Sequence, residues 1–287
     1  MNLKTKLLIH VGLAVTMVLS LPYYSFGQVL PFGGGTYAQD FNGLQTETGP
    51  TISAGTDGPF GLDTAWQTNP PPILTTTGMN GWQLMENGKS GFAFFTAGSG
   101  SGTTSGAYSY GANGSSDRAL GAVAGSVRQM AFGAVFRKDT GITIPDATIA
   151  FTGEQWRLGR SGAATPADTL FFEYRVGLGS DISTAGGAFT SYAALNFITP
   201  TTVGTVGALN GNDPANQVAL SSLITGLNWQ PNEYLVLRWR DIDEAGSDHG
   251  IAIDDFSITA IPEPSTVGLV VLGGMALGSR RWRRPAR

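Results

Sequence analysis

Cysteine is absent from all 287 residues, and only two histidines occur. No disulfide can staple this fold and no Cys–His site can form, so stability must come from a buried core or from bound metal. Charge is also sparse, with Asp, Glu, Lys and Arg making up 13% of the chain. No long segment carries apolar residues at helical spacing, no heptads appear, and no repeat stands out. No phosphate loop or dinucleotide fingerprint rises above the chance Gly-x-Gly matches of a glycine-rich sequence.

What is present is glycine, 41 residues of it, between short apolar or alternating stretches. That pattern reads as strands joined by glycine-rich turns. Strands are expected near residues 37–44, 81–84, 92–95, 126–138, 142–144, 147–158, 169–178, 189–197, 219–227, 233–240 and 251–258. The clearest is 169–178, where Leu170, Phe172, Tyr174 and Val176 share one face and Phe171, Glu173 and Arg175 the other. In 233–240, Leu235, Leu237 and Trp239 are expected to face inward, with Arg238 and Arg240 outward. Residues 45–80 are turn-rich, with Asn69-Pro70-Pro71-Pro72 as a stiff extended loop. The Gly, Ser, Thr and Ala of 96–117 read as a long surface loop. The expected fold is all-β, a two-sheet jelly roll or β-sandwich.

The two ends differ from this body. Lys4 and Lys6 precede an apolar segment over 7–21, and Ser25-Phe26-Gly27 places small residues at −3 and −1 of a cleavage point before Gln28. That is the pattern of a secretory signal peptide. At the other end, Pro262-Glu263-Pro264 must lie extended because neither proline has an N–H and both hold φ near −65°. An apolar, glycine-rich run of about 14 residues follows, shorter than the roughly 20 of an ordinary span, and then Arg280, Arg281, Arg283 and Arg284. Arginines beyond an apolar helix hold that end on the cytoplasmic side.

These three parts in this order strongly resemble the PEP-CTERM sorting signal of exported bacterial proteins. The resemblance implies recognition of Pro262-Glu263-Pro264 by an exosortase-type membrane enzyme. It also implies a transient single-pass inner-membrane intermediate, removal of the tail, and delivery to the cell surface or extracellular matrix. The expected organisation is a signal peptide over 1–27, a β-sandwich ectodomain over 28–260 and the sorting signal over 261–287. Without the two ends, 10 basic and 20 acidic residues remain, a net charge near −10. Such a domain will not bind nucleic acid or anionic lipid by counterion release; divalent cations are its natural charged partners.

Acidic residues concentrate between Arg238 and Gly250, where Asp241, Asp243, Glu244 and Asp248 occur, and again at Asp254-Asp255. Apolar positions fall at 251 and 253, then at 256 and 258, so the strand parity changes across Asp254-Asp255 and predicts a bulge. Asp241-x-Asp243-x-x-Gly246 matches the start of an EF-hand loop, but Ala245 and Ala252 occupy later ligand positions and exclude one. Three fates for these acids stand open: salt bridges to Arg118, Arg157, Arg238 and Arg240, a calcium site, or catalysis. Candidate calcium ligands are Asp40, Asp241, Asp243, Asp254 and Asp255. The stretches 114–121, 153–157, 238–243 and 250–258 are similar to the β-sandwich ectodomain common among PEP-CTERM proteins. The closing strand is also similar to that of MAM and carbohydrate-binding jelly rolls, which implies a calcium shared by Asp254 or Asp255 with Asp40.

For catalysis, Glu154 with Glu173, Asp241 or Asp243 would be the glycosidase-type pair. No Gly-x-Ser-x-Gly elbow accompanies His249, so no catalytic residue is assigned. The expected role is structural or adhesive, with exopolysaccharide or another glycan as ligand. A secreted carbohydrate-active enzyme is the alternative.

Overall fold

The computed structural model describes residues 29–46, 58–62, 78–87, 95–126, 128–162 and 166–261. In chain order its strands are β1 (Leu30–Phe32), β2 (Thr36–Gln39), β3 (Phe60–Gly61), β4 (Trp82–Asn87), β5 (Phe95–Gly98), β6 (Gly106–Tyr110), β7 (Ala119–Val123) and β8 (Gln129–Lys138). There follow β9 (Asp146–Leu158), β10 (Thr169–Gly177), β11 (Thr190–Ser191), β12 (Phe197–Ile198), β13 (Gly207–Ala208), β14 (Gln217–Ile224), β15 (Tyr234–Asp241) and β16 (Gly250–Ile261).

They form two sheets. Sheet A runs β11-β10-β15-β8-β4-β3, with β1 beside β8 and β12 beside β10. Sheet B runs β13-β9-β16-β7-β6-β5, with β14 beside β9 and β2 beside β16. The expected all-β, two-sheet architecture is what the described residues adopt. Among them no helix is long and apolar enough to cross a membrane. The signal-peptide and sorting-signal residues, Pro262, Glu263, Pro264, Arg280, Arg281, Arg283 and Arg284 included, lie outside the described residues.

Period-two alternation makes the core. Leu170 and Phe172 of β10, Phe132 and Phe136 of β8, and Leu235, Leu237 and Trp239 of β15 are fully buried, and from sheet B they meet Phe151, Ile253, Phe256 and Ile258. Trp239 is the hub. Its ring packs edge-on against Phe151, Phe172 and Phe256 at 5.2–5.6 Å and stacks with Trp82 at 5.9 Å. Offset and edge contacts of this kind add to the area each ring removes from water. Trp82 is therefore part of the core.

One sequence expectation is overturned between residues 96 and 117. The stretch is not a surface loop: β5 and β6 pair in parallel within it, and all of Gly106–Tyr110 is buried. Tyr108 stacks on Tyr110 at 5.1 Å and Tyr110 on Trp156 at 5.9 Å. Together with Val123 and Ala252 these rings form a second small core. The small residues that gave a loop-like composition let covering chain approach these rings. The strands expected over 142–144 and 189–197 also shrink, to a single bridge between Ile144 and Trp229 and to β11 and β12.

Two of the chain's crossings between sheets run side by side at one end of the sandwich. Residues 159–168 lead from β9 to β10, and residues 242–249 from β15 to β16. The loop acids meet there.

Candidate functional site

Four elements converge at that end. Asp168 precedes β10, Asp241 closes β15, Glu244 and Asp248 sit in the crossing loop, and His249 precedes β16. Backbone groups tie them together. Asp168 Oδ2 accepts the His249 N–H at 2.6 Å, Glu244 Oε1 accepts the Thr169 N–H at 3.2 Å, and Asp248 Oδ1 accepts the Glu244 N–H at 3.0 Å. His249 is fully buried, and its Nδ1 accepts the Gly159 N–H at 3.0 Å. Gly159 is required here, because a Cβ would lie 1.9 Å from the Asp248 carbonyl oxygen. Gly246 turns the loop at φ +103, a conformation that other residues rarely adopt.

Arg160 is the cation of this cluster. It pairs with Asp168, lies 3.8 Å from Asp248 and donates to the Ser247 carbonyl at 3.0 Å. One guanidinium does not balance the acids. Burial, then the charge of Asp168, pushes Glu244 up to about 7, and burial with the charges of Asp168 and Asp243 brings Asp248 to about 6. Asp241, enclosed at 1% exposure, lies well above the ordinary carboxylate range. Burial is the larger cause, followed by the charges of Asp248, Glu244 and Asp168. Oxygens of Asp168, Glu244 and Asp248 lie within 4.8 Å of one another, the one such grouping of three among the described residues and the set that could hold a metal ion.

The bulge predicted at Asp254-Asp255 is present. The register of β16 on β9 slips between Asp254 and Ser257, and Asp255 takes φ +49. Phe256 pairs with Gln39, so Asp40 lies one step further along, beside Asp255. Asp254 is buried and its Oδ1 accepts the Asp255 N–H at 2.7 Å. Asp40 is exposed, its oxygens taking hydrogen bonds from Asn42 at 3.1 and 3.2 Å. Asp40, Asp254 and Asp255 are not a set that brings three carboxylate oxygens within 4.8 Å of one another. The acids around Asp254 are instead Glu154, Asp255 and Asp117. Asp254 rises to about 8 and Glu154 to about 7, each mainly by burial. Glu154 is held by the Trp156 indole N–H at 2.8 Å.

The predicted candidates thus separate. Asp241 belongs to the crossing-loop cluster and Asp243 sits exposed at its rim, while Asp254 and Asp255 form the bulge with Asp40 alongside. The arginines named for neutralising these acids are engaged elsewhere. Arg238 and Arg240 share Glu173 at 2.6 and 3.4 Å, Arg157 donates to the Gly100 and Ser101 carbonyls, and Arg118 to Ser109 and Ala112. Asp168 and Arg160 were missed by sequence reasoning. Their one sequence signal is position, at the two ends of the crossing that runs beside the acidic loop.

The outer face of sheet A carries a different feature. Residues 181–187 fold over it as a strap: the Ile182 N–H donates to Gln83 Oε1 at 3.0 Å, and Arg238 Nη1 donates to the Ile182 carbonyl at 2.7 Å. Arg175 donates to the carbonyls of Asp181, Ser183 and Gly187, and Phe189 lies 3.7 Å from the Arg238 guanidinium. Beside the strap opens a cleft of about 340 Å³ lined by Met85, Gln129, Ala131, Thr184, Arg238 and Arg240.

No family model matches this sequence, and no curated protein matches it. Solved structures with similarity include the enzymatically active domain of bacteriophage CBA120 tailspike protein 4, at 13% identity and TM-score 0.32 over 63% of this chain and 19% of that one. The chain thus spans about a fifth of that tailspike structure's length. A xylan-binding module, CBM15, matches at 17% identity and TM-score 0.30 over 64% of this chain and 94% of the module. The CBM22-1 xylan-binding domain from Paenibacillus barcinonensis Xyn10C matches at 10% identity and TM-score 0.27, over 56% and 83%.

Proposed function

We propose that this is an exported surface or matrix protein: a jelly-roll ectodomain delivered by its PEP-CTERM tail and an exosortase-type enzyme, and serving a structural, glycan-binding role. The signal-peptide pattern at the N-terminus and the tail sequence support export. The observation that carries the binding role is the cleft beside the strap. It offers a glycan both kinds of contact it needs, apolar surface from Met85 and Ala131 and hydrogen-bonding groups from Gln129, Thr184 and Arg240. Arg240 keeps a side-chain exposure of 35%, which leaves it free to donate to a ligand while leaning on Glu173.

Binding is favoured over hydrolysis by where the acids lie. Glu154, the acid common to the glycosidase-type pairs, and Asp254 close to it are 3% and 6% exposed. A polysaccharide would have to open the sheet to reach them.

The test is retention on immobilised exopolysaccharide, neutral and uronate-containing, alongside an assay for released reducing ends. The expected result is retention without release, weakened by Arg240→Ala at unchanged melting temperature. Release of reducing ends that stops in Glu154→Gln would establish the enzyme reading instead, and equal retention of the parent and Arg240→Ala would remove the cleft from the account.

A further inference from the structure

The crossing-loop acids have a geometry that the glycan reading leaves unused. Asp168, Glu244 and Asp248 bring oxygens within 4.8 Å of one another. Oxygens that each lie about 2.4 Å from one calcium ion are at most about 4.8 Å apart, so the spacing is that of a shared coordination sphere.

An acidic cluster alone would not make a site, but a buried carboxylate stands beside this one. Asp241 is 1% exposed, and neither of its oxygens has a well-formed hydrogen bond; the Ala124 backbone N–H is the donor that approaches them. Its main charged neighbours are the same three acids, Asp248, Glu244 and Asp168. Glu244 Oε2 is buried without a partner. A buried carboxylate stripped of water and left with a single backbone donor is disfavoured in its charged form. Arg160 relieves Asp168 and Asp248 but forms no pair with Asp241 or Glu244 among the described residues.

The donor set identifies the ion. His249 stands at the edge of the cluster, but an amide N–H can only donate, so its Nδ1 is the acceptor for Gly159 and the neutral ring carries its proton on Nε2. Neither nitrogen then has a lone pair free for a metal. What remains is carboxylate oxygen only, which suits a hard divalent cation and gives no preference to zinc or copper. We infer that Asp168, Glu244 and Asp248 bind one calcium ion beside the buried Asp241 carboxylate, and that the ion joins the start of β10 to the loop into β16 next to the end of β15. Such an ion would lock the crossing between the sheets in a protein with no disulfide. This inference is independent of the glycan cleft, which lies on the outer face of sheet A.

The experiment uses the full-length chain in detergent, stripped with EDTA and titrated calorimetrically with CaCl2, with melting followed in parallel. Calcium is expected to bind and raise the melting temperature. Glu244→Gln and Asp248→Asn, which preserve side-chain outline, are each expected to lose one ion per chain and most of the rise, whereas His249→Gln and Asp254→Asn keep that ion. Should Glu244→Gln fail to fold, Asp248→Asn decides. The inference is overturned if calcium does not bind, if the stoichiometry survives in the folded acid variants, or if only a transition metal binds and His249→Gln abolishes it.

Discussion

The imidazole of His249 and the amide of Gly159 meet across 3.0 Å, with the ring as acceptor. This bond links the end of β9 to the start of β16 where neither group can reach water. Truncating the ring leaves a buried N–H unsatisfied, a loss of about 1–3 kcal/mol before any cavity is counted. His249→Ala should therefore lower the unfolding free energy measured by urea titration by that order. His249→Asn, whose Oδ1 can stand in for Nδ1, should recover part of it, and equal losses in the two variants would show that the bond contributes nothing.

Acid titration should act on this protein in an unusual direction. A folded-state Asp254 at about 8 against an ordinary 3.8 means that the native state holds a proton the unfolded chain releases. The stabilisation is complete below about pH 4 and is lost as pH rises through 8, and Glu154, at about 7, acts in the same sense. In chelator, denaturant midpoints should fall between pH 5 and pH 9. Asp254→Asn, which keeps an oxygen for the Asp255 N–H, should reduce that fall and be the more stable form at pH 9. A slope unchanged by the substitution would place the titration elsewhere.

The strap over sheet A should depend on Arg238 far more than on Arg240. Arg238 is buried, bonded to Glu173 and to the Ile182 carbonyl, and stacked on Phe189. Its replacement by Ala should cost about 3 kcal/mol, the lower end for breaking a buried pair because Arg240 remains near Glu173. Limited proteolysis should then nick the 181–187 segment early. Arg240→Ala, at the more exposed end of the pair, should cost less than about 1 kcal/mol and leave the strap protected.

Sorting can be followed in cells. Replacing Glu263, or all the terminal arginines, should leave the full-length precursor in the inner membrane. Fractionation and mass determination would reveal it, and release at the normal rate would count against the tail's role.

Much of the sandwich was legible because alternation survives in single strands. The faces of β10 and β15 follow from residue parity alone, and the bulge follows from the parity break at Asp254-Asp255. The segment around Tyr108 and Tyr110 was misread because two aromatics among Gly, Ser and Ala give too little pattern, and the partner that buries them, Trp156, lies far along the chain. The site failed for a similar reason. Asp241 was identifiable within an acidic loop, but Asp168 and Arg160 join it only because two crossings share one end of the sandwich. Local charge density pointed to Asp243, which stays in solvent.

β16 is flanked by β9 along one side and by β7 and β2 along the other, and the chain continues from its Ile261 into Pro262. A pull applied to the end of β16 along the strand would therefore enter at an interior strand. The ladders on both sides would have to shear together instead of peeling one rung at a time.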